Sequence, residues 1–468
     1  MSSYMNEWAP AVIACGGLVI LILLGKPDVL NKIFFFCIPL SFEMNLGSLG
    51  DIIFPSELIA IVVAGFVILT ALYYKTLWRT PSFHPASWSL LVLWLAIALA
   101  ALSSNMPIVS LKSLIIFTLY LFAFYIQWFL SPEDRSGKIQ QAIQYYFAGL
   151  LIVCLLATGK HAAEGFARTQ SMYVAFPFFS DHTIYGACLA FLIPMIYYWF
   201  KTSSGLFKIF YALAFALFII AVFGTYSRAV WMSLITVLLV YYLLKIRVDI
   251  KKVIGGLVFL LLLFLVFQEP VIEYLSENRS DSKSRRAEVS DQLKSVTNIS
   301  TDVSNLERIN RWKSALSMFN DKPLTGHGPG TYQFNFISFQ RAADKTRISV
   351  NYASDHFAQG KGGTAHSQYL LYASESGVFA LLAFVACILF TVNEAFNLYY
   401  QTTDEKKKLY IKALLGGYIT FVFHSFFNNF LDIDKSASLF LVFNAGIILL
   451  ALEQKNPLIS PKIKSDGH

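Results

Sequence analysis

The chain has 468 residues, 56% of them hydrophobic, with 42 Phe, only 14% charged residues and a mean hydropathy of +0.56. Soluble proteins carry roughly a quarter charged residues, so a soluble globular fold is excluded, and recurrent apolar runs of bilayer length predict an all-α polytopic membrane protein. A net charge of +8 in a soluble chain would suggest nucleic acid; here basic loops facing anionic lipid account for it, and no nucleic-acid partner is expected.

Spanning segments are predicted near 8–24, 30–43, 54–74, 86–103, 110–130, 142–158, 182–200, 206–223, 229–245, 252–268, 367–396, 409–430 and 437–453, twelve or thirteen in all. The segment at 30–43 is short for a span and reads as half of a broken helix. Met1 to Pro10 carries no Lys or Arg ahead of its apolar run, so a retained first helix is expected rather than a cleaved signal peptide. The expected organisation is a helix bundle over 1–267, a long loop over 268–365, C-terminal spans over 366–453 and a tail over 454–468.

Lys and Arg alternate between loops. One set carries Lys75 and Arg79, Arg135 and Lys138, Lys201 and Lys208, Lys245 to Lys252, Lys406 to Lys408, and the tail lysines; the intervening loops Glu43 to Asp51 and Ser103 to Ser110 carry none. The positive-inside rule then places the basic set and the C-terminus in the cytoplasm. The long loop, the turn Gly224 to Arg228 and the segment Lys160 to Asp181 are expected outside. The five cysteines lie in apolar segments with no CxxC pair, so neither a disulfide framework nor a cysteine metal site is indicated.

The long loop gathers polar residues that the rest of the chain avoids. It opens with a polar, helix-breaking run over Ser276 to Thr301, and order is expected to return at Ser304, which has capping-box spacing with Glu307. Leu306, Ile309, Trp312, Leu316 and Phe319 then recur on one helical face, while Arg308, Arg311 and Lys313 lie off that stripe. Such an amphipathic helix is expected to lie apolar face down, with Arg308 and Arg311 toward the headgroup zone. Asp321-Lys-Pro323 ends it, and Thr325-Gly-His-Gly-Pro-Gly330 follows.

Candidate functional residues come from this loop and from span ends. Arg228, between two apolar runs in Gly224-Thr-Tyr-Ser-Arg-Ala-Val-Trp231, either snorkels or binds an anion bidentately. Arg311 and Arg308 are either solvated charges or further anion ligands. The amides of Gly328 and Gly330 could cradle phosphate, although three glycines also make an ordinary turn and His327 and Pro329 interrupt any recognised phosphate-loop signature. His366, opening a span, suits general-base work on a hydroxyl or is a polar anchor. His182, next to Asp181, is a weaker candidate of the same kind. His424, Asn428 and Asn429 read as interhelical hydrogen-bonding groups, and Asp432-Ile-Asp434 as a polar loop rather than a metal chelate. No zinc-protease, nucleotide-loop or nucleophile-elbow motif is present, and no metal or cofactor is expected.

Taken together, Ser227-Arg228, Arg311-Trp312, Asp321-Lys-Pro-Leu-Thr-Gly-His-Gly-Pro-Gly330 and His366 form an ordered series that resembles the bacterial O-antigen ligase and O-antigen polymerase superfamily. His366-Ser367, nine residues and Gly377 match that family's His-[Asn/Ser/Gln]-x9-Gly motif, and Arg228-Ala-Val-Trp-Met232 approximates its Arg-x3-Leu motif with Met for Leu. The resemblance is close over Ser227 to Gly377. It implies a metal-independent, inverting membrane glycosyltransferase whose donor is a glycan on undecaprenyl diphosphate. A ligase delivers that glycan to a lipid A–core sugar, and a polymerase delivers it to another lipid-linked repeat unit. The resemblance further implies that Arg228 and Arg311, with Arg308 assisting, hold the diphosphate while His366 deprotonates the acceptor hydroxyl. A polysaccharide flippase is the remote alternative; the repeated halves and midplane charges typical of transporters are not evident here.

Overall fold

The computed structural model describes residues 26–45, 51–73, 84–130, 135–249, 251–253, 255–256, 259, 303–341 and 363–455. The predicted span at 8–24, most of that at 252–268, the run 276–301 and the tail from 456 lie outside the described residues.

The described chain is almost entirely helical. Its elements are α1 (Pro27–Leu40), a short hairpin of β1 (Phe42–Asn45) and β2 (Asp51–Phe54), α2 (Ser56–Tyr73), α3 (Pro85–Leu102), α4 (Pro107–Leu130), α5 (Arg135–Ala163), α6 (His182–Thr202), α7 (Gly205–Gly224) and α8 (Arg228–Lys245). After the long loop's helix α9 (Val303–Asp321) come α10 (Gln368–Gln401), α11 (Glu405–His424) and α12 (Asp434–Lys455). Among the described residues nine helices are long and apolar enough to cross a membrane: α2 to α8, α10 and α12. Helix α11 is also interior but carries Lys406, Lys407, Lys408 and Lys412 in its first half. The chain is a multi-pass membrane protein.

Local sequence sets many helix starts. Proline occupies the first turn of α1, α3 and α4, where its missing N–H removes no helical bond. Asp181 accepts the Thr183 N–H at 2.7 Å and Asp404 the Lys406 N–H at 2.8 Å, capping α6 and α11. The short segment near 30–43 is the 14-residue helix α1, about 21 Å long at 1.5 Å per residue and so shorter than the bilayer core of about 30 Å. It ends at Ser41 and turns into the β-hairpin, which pairs Phe42 with Phe54.

Helix α12 is the axis of the bundle, packing against α4, α5, α6, α10 and α11. Asn444 within it donates to Thr391 Oγ1 at 2.7 Å and Tyr418 Oη at 3.3 Å, joining α10, α11 and α12 in an apolar interior. At its N-terminal end Lys435 donates to the Ser41 carbonyl at 2.8 Å and sits 5.0 Å from the Phe179 ring, while Asp434 accepts from Ser56 Oγ. Asp432 accepts from Asn429 at 3.1 Å, so each acid of the Asp-Ile-Asp sequence has a partner within the protein. The opposite helix ends carry other ion pairs, among them Lys138–Asp28 at 3.2 Å and Lys455–Glu394 at 3.3 Å.

The expectation for His424 is corrected. Its ring is fully buried at the end of α11, yet neither nitrogen has a hydrogen-bond partner among the described residues, and it packs instead near the Phe430 ring. Asn428 Nδ2 likewise has none there, and Asn429 bonds locally to Asp432 rather than across helices.

Candidate active site at the foot of the long loop

Helix α9 begins at Val303, one residue before the expected start at Ser304, and the Glu307 carboxylate is turned to Arg311. The helix is also rolled relative to the predicted stripe. Ile309, Asn310, Arg311, Ser314, Ala315 and Met318 are buried, whereas Trp312, Leu316 and Phe319 are half-buried. Arg311, expected to point toward headgroups, is 8% exposed and faces the protein. An arginine is stable there because its charge is compensated locally. Nε donates to Glu307 Oε1 at 3.0 Å, one Nη donates to the Thr364 carbonyl at 3.0 Å, and the guanidinium lies 4.8 Å from the Phe336 ring centre. Gly363 leaves space for this: a Cβ there would lie 2.9 Å from the guanidinium.

The glycine-rich turn after α9 does something other than expected. Gly326, Gly328 and Gly330 all have positive φ, 65°, 110° and 78°. Their amides are not aimed at an external anion. Gly326 N–H donates to the Lys322 carbonyl at 2.9 Å, Gly328 N–H to the Glu375 carbonyl at 2.8 Å, and Gly330 N–H to the Glu375 carboxylate at 2.9 Å. Tyr332 N–H reaches the other oxygen of that carboxylate at 2.7 Å. The phosphate-cradle expectation for Gly328 and Gly330 is therefore corrected: the acceptor in this nest is the protein's own Glu375. It stands in the first turns of α10, which is broken at Gly377 (φ 76°, ψ −174°). The loop wedges into the break, with His327 N–H on the Ser374 carbonyl at 3.1 Å and Val378 N–H on the Pro323 carbonyl at 2.9 Å. Sequence reasoning misses Glu375, which stands in Ser374-Glu-Ser-Gly377 within a predicted span; a lone acid two residues before a glycine is the signal available.

His366 occupies the hinge between the loop and α10, with φ 50°. Its carbonyl accepts from Trp312 Nε1 at 3.3 Å, and the following Gln368 N–H donates to the Ser425 carbonyl at 2.8 Å, so its backbone is held between α9 and the end of α11. Burial, then the nearby charges of Arg311 and Arg308, push the His366 imidazole down to about 4, against a smaller opposing pull from Asp181. The ring is therefore neutral at pH 7 and able to accept a proton.

Residues far apart in sequence converge here. Asp181, Arg308 and Arg311 all act electrostatically on His366, and Asp181, Arg308 and Arg168 on His182. His182 is 3.4 Å from Asp181. Arg228 is the first residue of α8, and the start of α8 packs on the start of α6: a Cβ at Gly186 would lie 2.7 Å from Val230 and 3.1 Å from Thr225. Tyr226, with φ 51°, donates to the Phe166 carbonyl at 2.9 Å and ties this turn to the segment before α6. Arg228 thus stands beside the helix start that carries His182. Among the described residues no three His, Cys, Asp or Glu side chains gather as a metal site would require.

Comparison with known families adds to this geometry. Residues 213–385 match the family model described as O-antigen ligase. That match supports placing this region with the O-antigen ligase/polymerase superfamily. The matched stretch contains Arg228, Arg308, Arg311, Gly328, Gly330, His366 and Glu375, while Asp181 and His182 precede it. No curated protein matches the chain. The superfamily match supports O-antigen ligase/polymerase-type function, a glycosyltransferase-like enzyme and lipid-linked glycan substrates.

Proposed function

We propose that this O-antigen ligase-superfamily protein transfers a glycan from undecaprenyl diphosphate to a hydroxyl of lipid A–core sugar. The reaction takes place on the outer face of the inner membrane. The observation that carries the reading is the gathering of a neutral imidazole, His366, with two guanidinium groups, Arg308 and Arg311. A hydroxyl nucleophile needs a base, and a departing diphosphate needs cations; these residue types meet both needs.

In the proposed step His366 takes the proton of the acceptor hydroxyl as its oxygen attacks the anomeric carbon. The bond from that carbon to the diphosphate oxygen breaks on the opposite face, its electron pair stays on the diphosphate, and the configuration inverts. Arg311 and Arg308, with Arg228, hold the diphosphate and neutralise its growing charge, so the proposed mechanism needs no metal. A free imidazole at about 4 is a weak base, and burial contributes most to that depression. An anionic donor seated against Arg308 and Arg311 would relieve the remaining part that their charges cause, making the base stronger when donor is bound. Gly328 and Gly330 take no part, because their amides are engaged by Glu375. His182 and Asp181 are placed to tune the same electrostatic field.

A polymerase that joins lipid-linked repeat units would use the same base and cations, so the acceptor separates the two readings. The glycan profile of a deletion strain tests this. Polymer left on its lipid carrier is expected for a lost ligase, single repeat units would make the protein a polymerase, and an unchanged profile would overturn both.

A further inference from the structure

We propose that Glu375 is a positioning residue for transfer, coupling the helix that follows His366 to the helix that carries Arg311; this rests on the function proposed above. Glu375 is buried inside α10, nine residues after His366 and just before the break at Gly377. A carboxyl group in such a place is costly unless it is hydrogen-bonded. Its two oxygens receive two backbone amides, from Gly330 at 2.9 Å and Tyr332 at 2.7 Å. Its own carbonyl receives a third, from Gly328 at 2.8 Å. One residue therefore holds three successive points of the glycine-rich turn.

The consequence reaches the guanidinium through Tyr332. Its amide is fixed by Glu375, its hydroxyl donates to the Arg311 carbonyl at 2.8 Å, and its ring stacks on Phe336 at 5.3 Å and 5°. Phe336 is the ring that lies under the Arg311 guanidinium at 4.8 Å. Every link in this line, Glu375 to Tyr332 to Phe336 to Arg311, is buried. At the other end of the same short helix, His366 is held to α9 through Trp312. Glu375 thus sets the spacing between the residue proposed to take the proton and the residue proposed to hold the leaving group. Transfer rates are sensitive to such spacing, a displacement of 1 Å being worth on the order of 100-fold.

The test uses the full-length protein in nanodiscs, comparing wild type, E375Q and Y332F. Glutamine keeps the shape but offers only one acceptor oxygen; phenylalanine removes only the bond to the Arg311 carbonyl. Hydrogen exchange is read over 326–336, and transfer from a lipid-linked glycan donor is measured as KM and kcat. E375Q is expected to speed exchange at Gly330 and Tyr332 by about tenfold and to raise the donor KM while lowering kcat, for a combined loss of about 10- to 100-fold. Y332F is expected to reproduce the kinetic loss in part, with exchange at Gly330 unchanged, and to add little to E375Q in the double variant. E375Q that unfolds more easily but transfers with wild-type KM and kcat would overturn the proposal, because Glu375 would then serve stability alone. Unchanged exchange over 326–336 would overturn it as well. Absence of transfer by the wild type would count against the proposed function, and the exchange measurement would still judge the coupling.

Discussion

Gly377→Ala is the substitution whose cost is best defined by the structure. At φ 76° and ψ −174° the residue lies in a region that is essentially glycine-only, worth about 1–3 kcal/mol for any other residue. An added Cβ would also stand 2.1 Å from the Leu324 carbonyl oxygen and 2.9 Å from the Thr325 nitrogen, both backbone atoms that cannot rotate away. The loop must withdraw, which puts at risk the bonds from Val378 to Pro323 (2.9 Å), His327 to Ser374 (3.1 Å) and Gly328 to Glu375 (2.8 Å). At about 1 kcal/mol net for each of these, the total destabilisation is about 4–6 kcal/mol. That is a large part of the margin of about 5–15 kcal/mol that folded proteins possess. Denaturant or thermal unfolding in detergent, read by near-ultraviolet dichroism, measures it. Gly65→Ala is the control: this helical glycine has no atom within 4 Å of its would-be Cβ, and the change should be neutral or stabilising by up to about 1 kcal/mol. If Gly377→Ala were as well tolerated as Gly65→Ala, the wedged loop and the kinked helix would be wrong.

Further predictions concern the charges. The His366 imidazole sits at about 4, below its ordinary 6.5, so the folded state takes up this proton less readily than the unfolded chain. Its contribution to stability is complete above pH 6.5 and is lost as pH falls toward 4, by at most about 3 kcal/mol at 1.36 kcal/mol per unit. The pH dependence of unfolding should flatten in that window in His366→Gln. The acidic limb of kcat should lie at higher pH than that of kcat/KM, because donor bound beside Arg308 and Arg311 relieves the depression; coincident limbs in a transfer assay would contradict this. Arg228→Lys should lose nearly as much transfer activity as Arg228→Ala, since a point charge lacks the two-pronged fork. Full activity of the lysine variant would mean that Arg228 merely snorkels.

How much of this was legible in the sequence depends on the residue. The helical class and most span positions followed from apolar run length, because the bilayer imposes that length directly. The turn from α1 into a hairpin did not follow, since Glu43 to Asp51 reads as any polar loop. Helix α9 was legible but its rotation was not. Periodicity placed Arg311 outside because it ranks residues by polarity alone, whereas Glu307, Thr364 and Phe336 together make a buried arginine stable. Two of those partners are separated from Arg311 by a long stretch of chain, beyond the reach of any pattern within one helix. The glycines at 328 and 330 were expected to offer amides to phosphate, but the group they hold is Glu375, 45 residues beyond Gly330. The proximity of Asp181 to His366 was equally invisible, because it depends on how α6 and the foot of α10 are brought together.

The central claim is that His366 removes the acceptor proton. It is tested most directly by purified His366→Ala protein, assayed for glycan transfer from an undecaprenyl diphosphate-linked donor alongside a donor-binding measurement. Donor binding close to that of the wild type and no transferred glycan above background are expected. Transfer by His366→Ala at the wild-type rate would contradict it.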